Sequence, residues 1–146
     1  MKNKGWEDCH LHLFDINGEQ FGVPDPGDPG FDIKNEKGIT LSSLIKRGVR
    51  KFGYEYDLGD GWQHEIKIEK TIEMDDLRNP LCIEGERACP PEDSGGLGGY
   101  YEKLEVLADP RHEEYRDIRE WMRDFDPERF QPLVVNKELA RLSQAR

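Results

Sequence analysis

Lys51-Phe52-Gly53-Tyr54-Glu55-Tyr56-Asp57 alternates side-chain character, breaks at Leu58-Gly59-Asp60-Gly61, and resumes as Trp62-Gln63-His64-Glu65-Ile66-Lys67-Ile68-Glu69. A period of two predicts half-buried strands, because successive strand side chains point to opposite faces. Phe52, Tyr54 and Tyr56 then share one face of the first strand, and Trp62, His64, Ile66 and Ile68 share one face of the second. Asp and Gly in the break are the residues a tight turn requires. The hairpin makes a sheet the centre of the fold.

Working toward the N-terminus, residues 10–16 (HLHLFDI) show the same alternation. Asn17-Gly18 follows, a favoured two-residue hairpin turn, and residues 19–23 read as the return strand. Pro24-Asp25-Pro26-Gly27-Asp28-Pro29-Gly30 sustains neither helix nor ladder and is predicted to be a surface loop. Thr40 is the expected N-cap of a short helix through Arg47, with Leu41, Leu44 and Ile45 on one face and Gly48 as its stop.

Toward the C-terminus the pattern changes. A helical turn is expected over residues 74–78, then an irregular acidic run holding Cys82 and Cys89, with seven carboxylates against two arginines over residues 73–93. From Gly99 the period is helical, with Tyr100, Leu104 and Leu107 as its stripe, until Asp109-Pro110. A second helix spans about residues 112–123, a short turn starts at Asp126-Pro127-Glu128, and a last amphipathic piece covers residues 137–142. Strands first and helices afterwards predict an α+β fold. It is an antiparallel sheet of hairpins packed against a C-terminal set of helices, one domain over residues 1–146.

The 146 residues carry 21 Lys and Arg against 31 Asp and Glu, a formal charge of −10. This acidic balance argues against nucleic acid, which needs clustered cations, and only Lys46-Arg47-Gly48-Val49-Arg50-Lys51 offers a basic stripe. No run approaches the roughly 18 apolar residues of a membrane span. The N-terminus lacks the apolar core of a secretory signal. Three cysteines, Cys9, Cys82 and Cys89, are odd in number and sparse, which points to a reducing, cytoplasmic setting; a Cys82–Cys89 disulfide is the alternative.

Two constellations stand out. His10 and His12 share a strand face and His64 lies on the apolar side of the later hairpin. With Cys82 and Cys89 they form a candidate set for a divalent transition metal, and Cys9 and the carboxylates Asp57, Asp60, Glu92 and Asp93 are available nearby. The seven-residue spacing of Cys82 and Cys89 is not that of a zinc knuckle, and the histidines and cysteines also fit as ordinary strand and core residues. The second constellation is a binding surface where the hairpin tip meets the loop at residues 82–96, made of Asp57, Asp60, Trp62, His64, Glu92 and Asp93. Turn chemistry and core filling account for the same residues. Asp57 or Asp60 beside His64 would form an acid–base pair. Nucleophile-elbow, P-loop, dinucleotide and HExxH motifs are all missing. Gly95-Gly96-Leu97-Gly98-Gly99 lacks the P-loop lysine and follows Glu92-Asp93, so it reads as a flexible helix entry.

The run Tyr54-Glu55-Tyr56-Asp57-Leu58-Gly59-Asp60-Gly61-Trp62-Gln63-His64, with Cys82-Ile83-Glu84-Gly85-Glu86-Arg87-Ala88-Cys89-Pro90-Pro91-Glu92-Asp93-Ser94-Gly95-Gly96, resembles the plasmid pRiA4b ORF-3-like family. Its members are also labelled insertion-element passenger proteins of TnpR type. His10-Leu11-His12-Leu13-Phe14 and Gly99-Tyr100 fit the same resemblance, although Leu13 stands where many members have Glu. It implies a single α+β domain and brings no activity. It also implies an N-terminal strand and helix ahead of Gly5-Trp6; their loss would expose a sheet edge open to a second copy. The TnpR label suggests a recombinase, but Ser42, Ser43, Ser94 and Ser143 lack the arginine-rich setting an activated serine needs. The expectation is a small cytoplasmic binding or accessory domain associated with mobile elements, taking a protein or small-molecule partner. The alternative is a metal-dependent hydrolase with Glu92 or Asp60 as base.

Overall fold

The computed structural model describes residues 6–25, 27, 32–73 and 79–144; the helical turn expected over residues 74–78 and part of the proline-rich loop lie outside them. Elements follow in the order β1 (His12–Ile16), β2 (Glu19–Gly22), β3 (Lys34–Asn35), α1 (Leu41–Lys46), β4 (Lys51–Tyr56) and β5 (Trp62–Lys67). Three helices follow, α2 (Gly96–Ala108), α3 (Tyr115–Met122) and α4 (Pro132–Gln144). The α+β class and the sheet of hairpins are as the sequence predicts.

The five strands form one sheet in the order β3-β2-β1-β4-β5. All pairings are antiparallel except the two-residue parallel contact of β2 with β3. The β1–β2 turn places Asn17 and Gly18 at φ of 56° and 81°, the left-handed pair that matches the twist of a tight hairpin. Thr40 caps α1 reciprocally: its hydroxyl accepts from the Ser43 amide while the Ser43 hydroxyl accepts from the Thr40 amide, both at 3.1 Å.

Register decides where the core sits. Phe14 faces Phe21 and Tyr54, Tyr54 faces His64, and Tyr56 faces Trp62, so these side chains share one side of the sheet. That side carries two clusters. Ile16 and Phe21 pack with Leu44 and Val49 around α1. Tyr56 and Trp62 pack with Tyr100 of α2 and Met122 of α3. Leu13, Asp15, Gln20, Lys51, Glu55, Gln63 and Glu65 line a shallow groove of about 750 Å³, and the register places them on the opposite side. One apolar and one polar face is the usual arrangement of an antiparallel sheet.

Several element bounds differ from expectation: β1 begins at His12, β2 ends at Gly22, β4 ends at Tyr56 and β5 ends at Lys67. The helix read from Gly99 begins at Gly96, the second is shorter at Tyr115–Met122, and the last is longer at Pro132–Gln144. Among the described residues no helix is long and apolar enough to cross a membrane.

Candidate metal centre

The site begins with Asp57, the residue that follows β4. Its φ of 54° lies in the left-handed region, where asparagine and aspartate are tolerated because the side chain bonds its own turn. Asp57 Oδ1 accepts from the amides of Gly59 and Asp60 at 3.0 and 3.2 Å. That leaves Oδ2 pointing away from the turn.

Glu92 is divided in the same way. Its Oε1 accepts from the buried Tyr56 hydroxyl at 2.9 Å and from the Glu7 amide at 2.7 Å, and Oε2 remains free. Burial first, and then the hydrogen bond to Glu92, raise the Tyr56 phenol well above its ordinary pKa. The hydroxyl therefore stays protonated and donates to Glu92 throughout the physiological range.

Residues 6–10 run over this assembly as a strap. Trp6 stacks on Tyr56 with ring centroids 4.8 Å apart and donates its indole N–H to Pro90 O at 3.0 Å. The Cys9 amide donates to the Tyr56 oxygen at 3.2 Å, and the Cys9 thiol lies 3.9 Å from Glu92 Oε1. The strap delivers His10, whose Nε2 lies 3.3 Å from Asp93 Oδ1, 3.7 Å from Asp57 Oδ2 and 3.9 Å from Glu92 Oε2. Although three carboxylates surround it, this nitrogen itself is enclosed and makes no well-directed hydrogen bond among the described residues, while the imidazole as a whole is 30% exposed. A buried polar atom without a partner calls for an explanation, and an ion is one of the few available.

Ligand atoms of Cys9, His10 and Glu92 lie within 4.8 Å of one another, as do those of His10, Asp57 and Asp93. The two sets share His10. Imidazole with carboxylate oxygens and a marginal thiol suits a divalent transition ion better than calcium or magnesium, which prefer oxygen alone. Asp93, also left-handed at φ 56°, has a side chain 76% exposed and opens one side of the cluster to water.

The other residues singled out in the sequence lie apart from this cluster. His12 Nε2 meets Glu36 Oε2 at 2.9 Å. His64 is exposed, with Nδ1 3.3 Å from Tyr54 O. Cys82 is tied to α4 through Asn136, which accepts from its amide at 2.7 Å and donates to its carbonyl at 2.9 Å. Cys9, Cys82 and Cys89 are all free thiols. Trp62 is buried in the second core cluster. Asp60 joins the hairpin tip to the loop, its Oδ2 accepting from the Gly95 amide at 3.0 Å. Sequence reasoning missed Tyr56 and Trp6 as parts of the site. A strand tyrosine and an N-terminal tryptophan carry no local signal beyond core filling.

A family model described as plasmid pRiA4b ORF-3-like protein matches residues 2–133. A Sinorhizobium fredii protein, described as uncharacterized protein y4hQ, is 42% identical over 119 residues, which are 80% of this chain and 60% of that protein. The chain thus spans about three fifths of this relative. The crystal structure of the protein of unknown function MM3350 from Methanosarcina mazei superposes with a TM-score of 0.76 at 39% identity, covering 88% of this chain and 74% of that one. The chain belongs to the plasmid pRiA4b ORF-3-like family.

Proposed function

We propose that this pRiA4b ORF-3-like chain is a binding domain that holds one divalent transition-metal ion between His10, Asp57, Glu92 and Asp93, with Cys9 at the margin. The observation that carries the reading is the position of His10 Nε2, enclosed, without a well-directed hydrogen bond and within 3.3–3.9 Å of three carboxylates from two other segments. Two of those carboxylates are anchored through one oxygen and free at the other. Such anchoring fixes a ligand in place before any ion arrives. Held together without a cation, the carboxylates repel one another; an ion relieves this and joins the strap to the hairpin tip.

The plasmid in the family's description supports an association with mobile elements, and the three free thiols support a cytoplasmic setting. The exposed side of Asp93 supports a second reading, a metal-dependent hydrolase whose ion keeps a position for water. Asp60 stands apart from the His10 cluster and joins the hairpin tip to the loop before α2, its Oδ2 accepting from the Gly95 amide.

Equilibrium dialysis against zinc or manganese under reducing conditions, followed by elemental analysis, tests the proposal. The chain should retain about one equivalent. His10→Ala and Asp57→Asn should lose it, while His64→Ala keeps it. Failure of the wild-type chain to retain either ion, or equal retention by His10→Ala, would overturn the reading.

A further inference from the structure

The two edges of the sheet are not alike. One is β3, two residues long, too short to template another strand. The other is β5, six residues long, which among the described residues pairs on one side only, with β4. Which backbone groups it leaves open follows from register. Ile68 donates its amide to Arg50 O at 2.8 Å, and Phe52 faces Ile66 while Tyr54 faces His64. Hydrogen-bonded pairs recur at every second position of an antiparallel ladder. His64 and Ile66 therefore turn their N–H and C=O groups toward β4. Gln63, Glu65, Lys67 and Glu69 turn theirs outward.

We propose that this edge pairs antiparallel with the β5 edge of a second copy, in the one register that sets Glu65 opposite Lys67. The rule of outward-facing groups leaves few choices. Centring the two-fold on Glu65 would place two Glu65 carboxylates face to face, which is destabilising. Centring it on Ile66 places Glu65 of each copy against Lys67 of the other and Gln63 against Glu69, all as hydrogen-bonded pairs. On the apolar face the same register sets Ile66 against Ile66 and His64 against Ile68. Ile66 and Ile68 are both half-buried in the single chain, so pairing removes remaining apolar surface from water. Within one chain Glu65 already holds Lys67 at 2.8 Å and also pairs with Lys51, so the charges that the dimer uses stand ready on the strand's polar face. The contact is isologous and closes at two copies, which avoids the open-ended assembly that an edge otherwise invites. This inference is independent of the metal centre.

Sedimentation equilibrium of the full chain should give a dimer. Lys67→Glu sets carboxylate against carboxylate across the two-fold, and Glu65→Lys sets ammonium against ammonium, so each variant alone should associate roughly tenfold or more weakly. Mixed in equal amounts, the two restore both opposite-charge pairs and should dimerise with each other. Ile66→Cys, directly opposite its own copy at non-hydrogen-bonded spacing, should form a reducible cross-link on mild oxidation. Gln63→Cys should not. A monomeric wild-type chain, a mixture that stays monomeric, or cross-linking at Gln63→Cys in place of Ile66→Cys would overturn the proposal.

Discussion

Tyr56 and Glu92 meet at 2.9 Å, hydroxyl to Oε1, across 36 residues of sequence. The contact joins the end of a central strand to the loop before α2. Tyr56 is only 2% exposed, and its oxygen also accepts the Cys9 amide. One phenol thus holds the strap and the acidic loop together. Tyr56→Phe removes both bonds at little cost in packing. It should lower the unfolding free energy by about 1–3 kcal/mol, the range for leaving buried groups without partners. Urea denaturation with and without zinc measures it, and the variant should also bind the ion more weakly.

Alkaline pH should act on the same residue. The phenols of Tyr54, Tyr56 and Tyr100 are all raised above the ordinary value of 10.0, with burial the largest cause in each. A group whose folded pKa is raised contributes stability that is complete below its unfolded pKa and is lost as pH rises toward the folded one. Stability should therefore hold up to about pH 9.5 and decline above pH 10. Denaturant midpoints at pH 9 and 11 check this, and in Tyr56→Phe the decline should be shallower.

Two glycines of α2 should respond in opposite directions. Gly96 has φ +66°, and a Cβ there would collide with the Asp60 carbonyl. Gly96→Ala should cost about 1–3 kcal/mol or more, through strain and through separation of the hairpin tip from the helix. Gly98 has open space around its missing Cβ and lies inside the helix, so Gly98→Ala should add about 0.5–1 kcal/mol. A pair of thermal melts distinguishes them.

Asn136 is the polar hinge of α4, bonded to both the amide and the carbonyl of Cys82. Asn136→Ala should leave the sheet intact and loosen α4. Amide exchange should accelerate in residues 132–144 and around Cys82 while β1, β4 and β5 stay protected. Uniform acceleration across the sheet would refute the assignment.

The strap should report through tryptophan. Trp6→Phe keeps part of the stacking on Tyr56 and loses the bond to Pro90 O. It should reduce ion affinity by about tenfold, since His10 and Cys9 are positioned by the strap and outer contacts of this kind carry such effects. Dialysis against the wild-type chain reads the difference.

Much of the sheet is legible in the sequence because its signals are local. Alternation marks β1, β4 and β5, Asn17-Gly18 fixes one turn, and Thr40 announces its helix. β3 is not legible, since Lys34-Asn35 pairs only because β2 is beside it. The early start of α2 is also hidden. Glycine disfavours helix, but Gly96 fits against Asp60, and tertiary packing overrides propensity there. In the candidate site, His10, Asp57, Glu92 and Asp93 are each conspicuous in sequence, yet their grouping is not. It depends on a reversal at Asp8, at φ 57°, and on long-range bonds to Tyr56 and Pro90. The shared strand face of His10 and His12 suggests a pair, but β1 begins only at His12. His10 lies on the strap instead.

The strap joins residues 6–9 to residues 90–92, with separations of 83 to 85 residues between bonded partners. On a ribosome the chain is made from its N-terminus, so Trp6, Cys9 and His10 are exposed long before Glu92 is synthesised. The hairpins need only nearby partners and form first, as local contacts close faster than distant ones. The nascent protein therefore passes through a stage with its sheet built and the residues of the proposed ion site still apart. Any metal it carries is acquired late, after the loop at residues 90–93 has emerged.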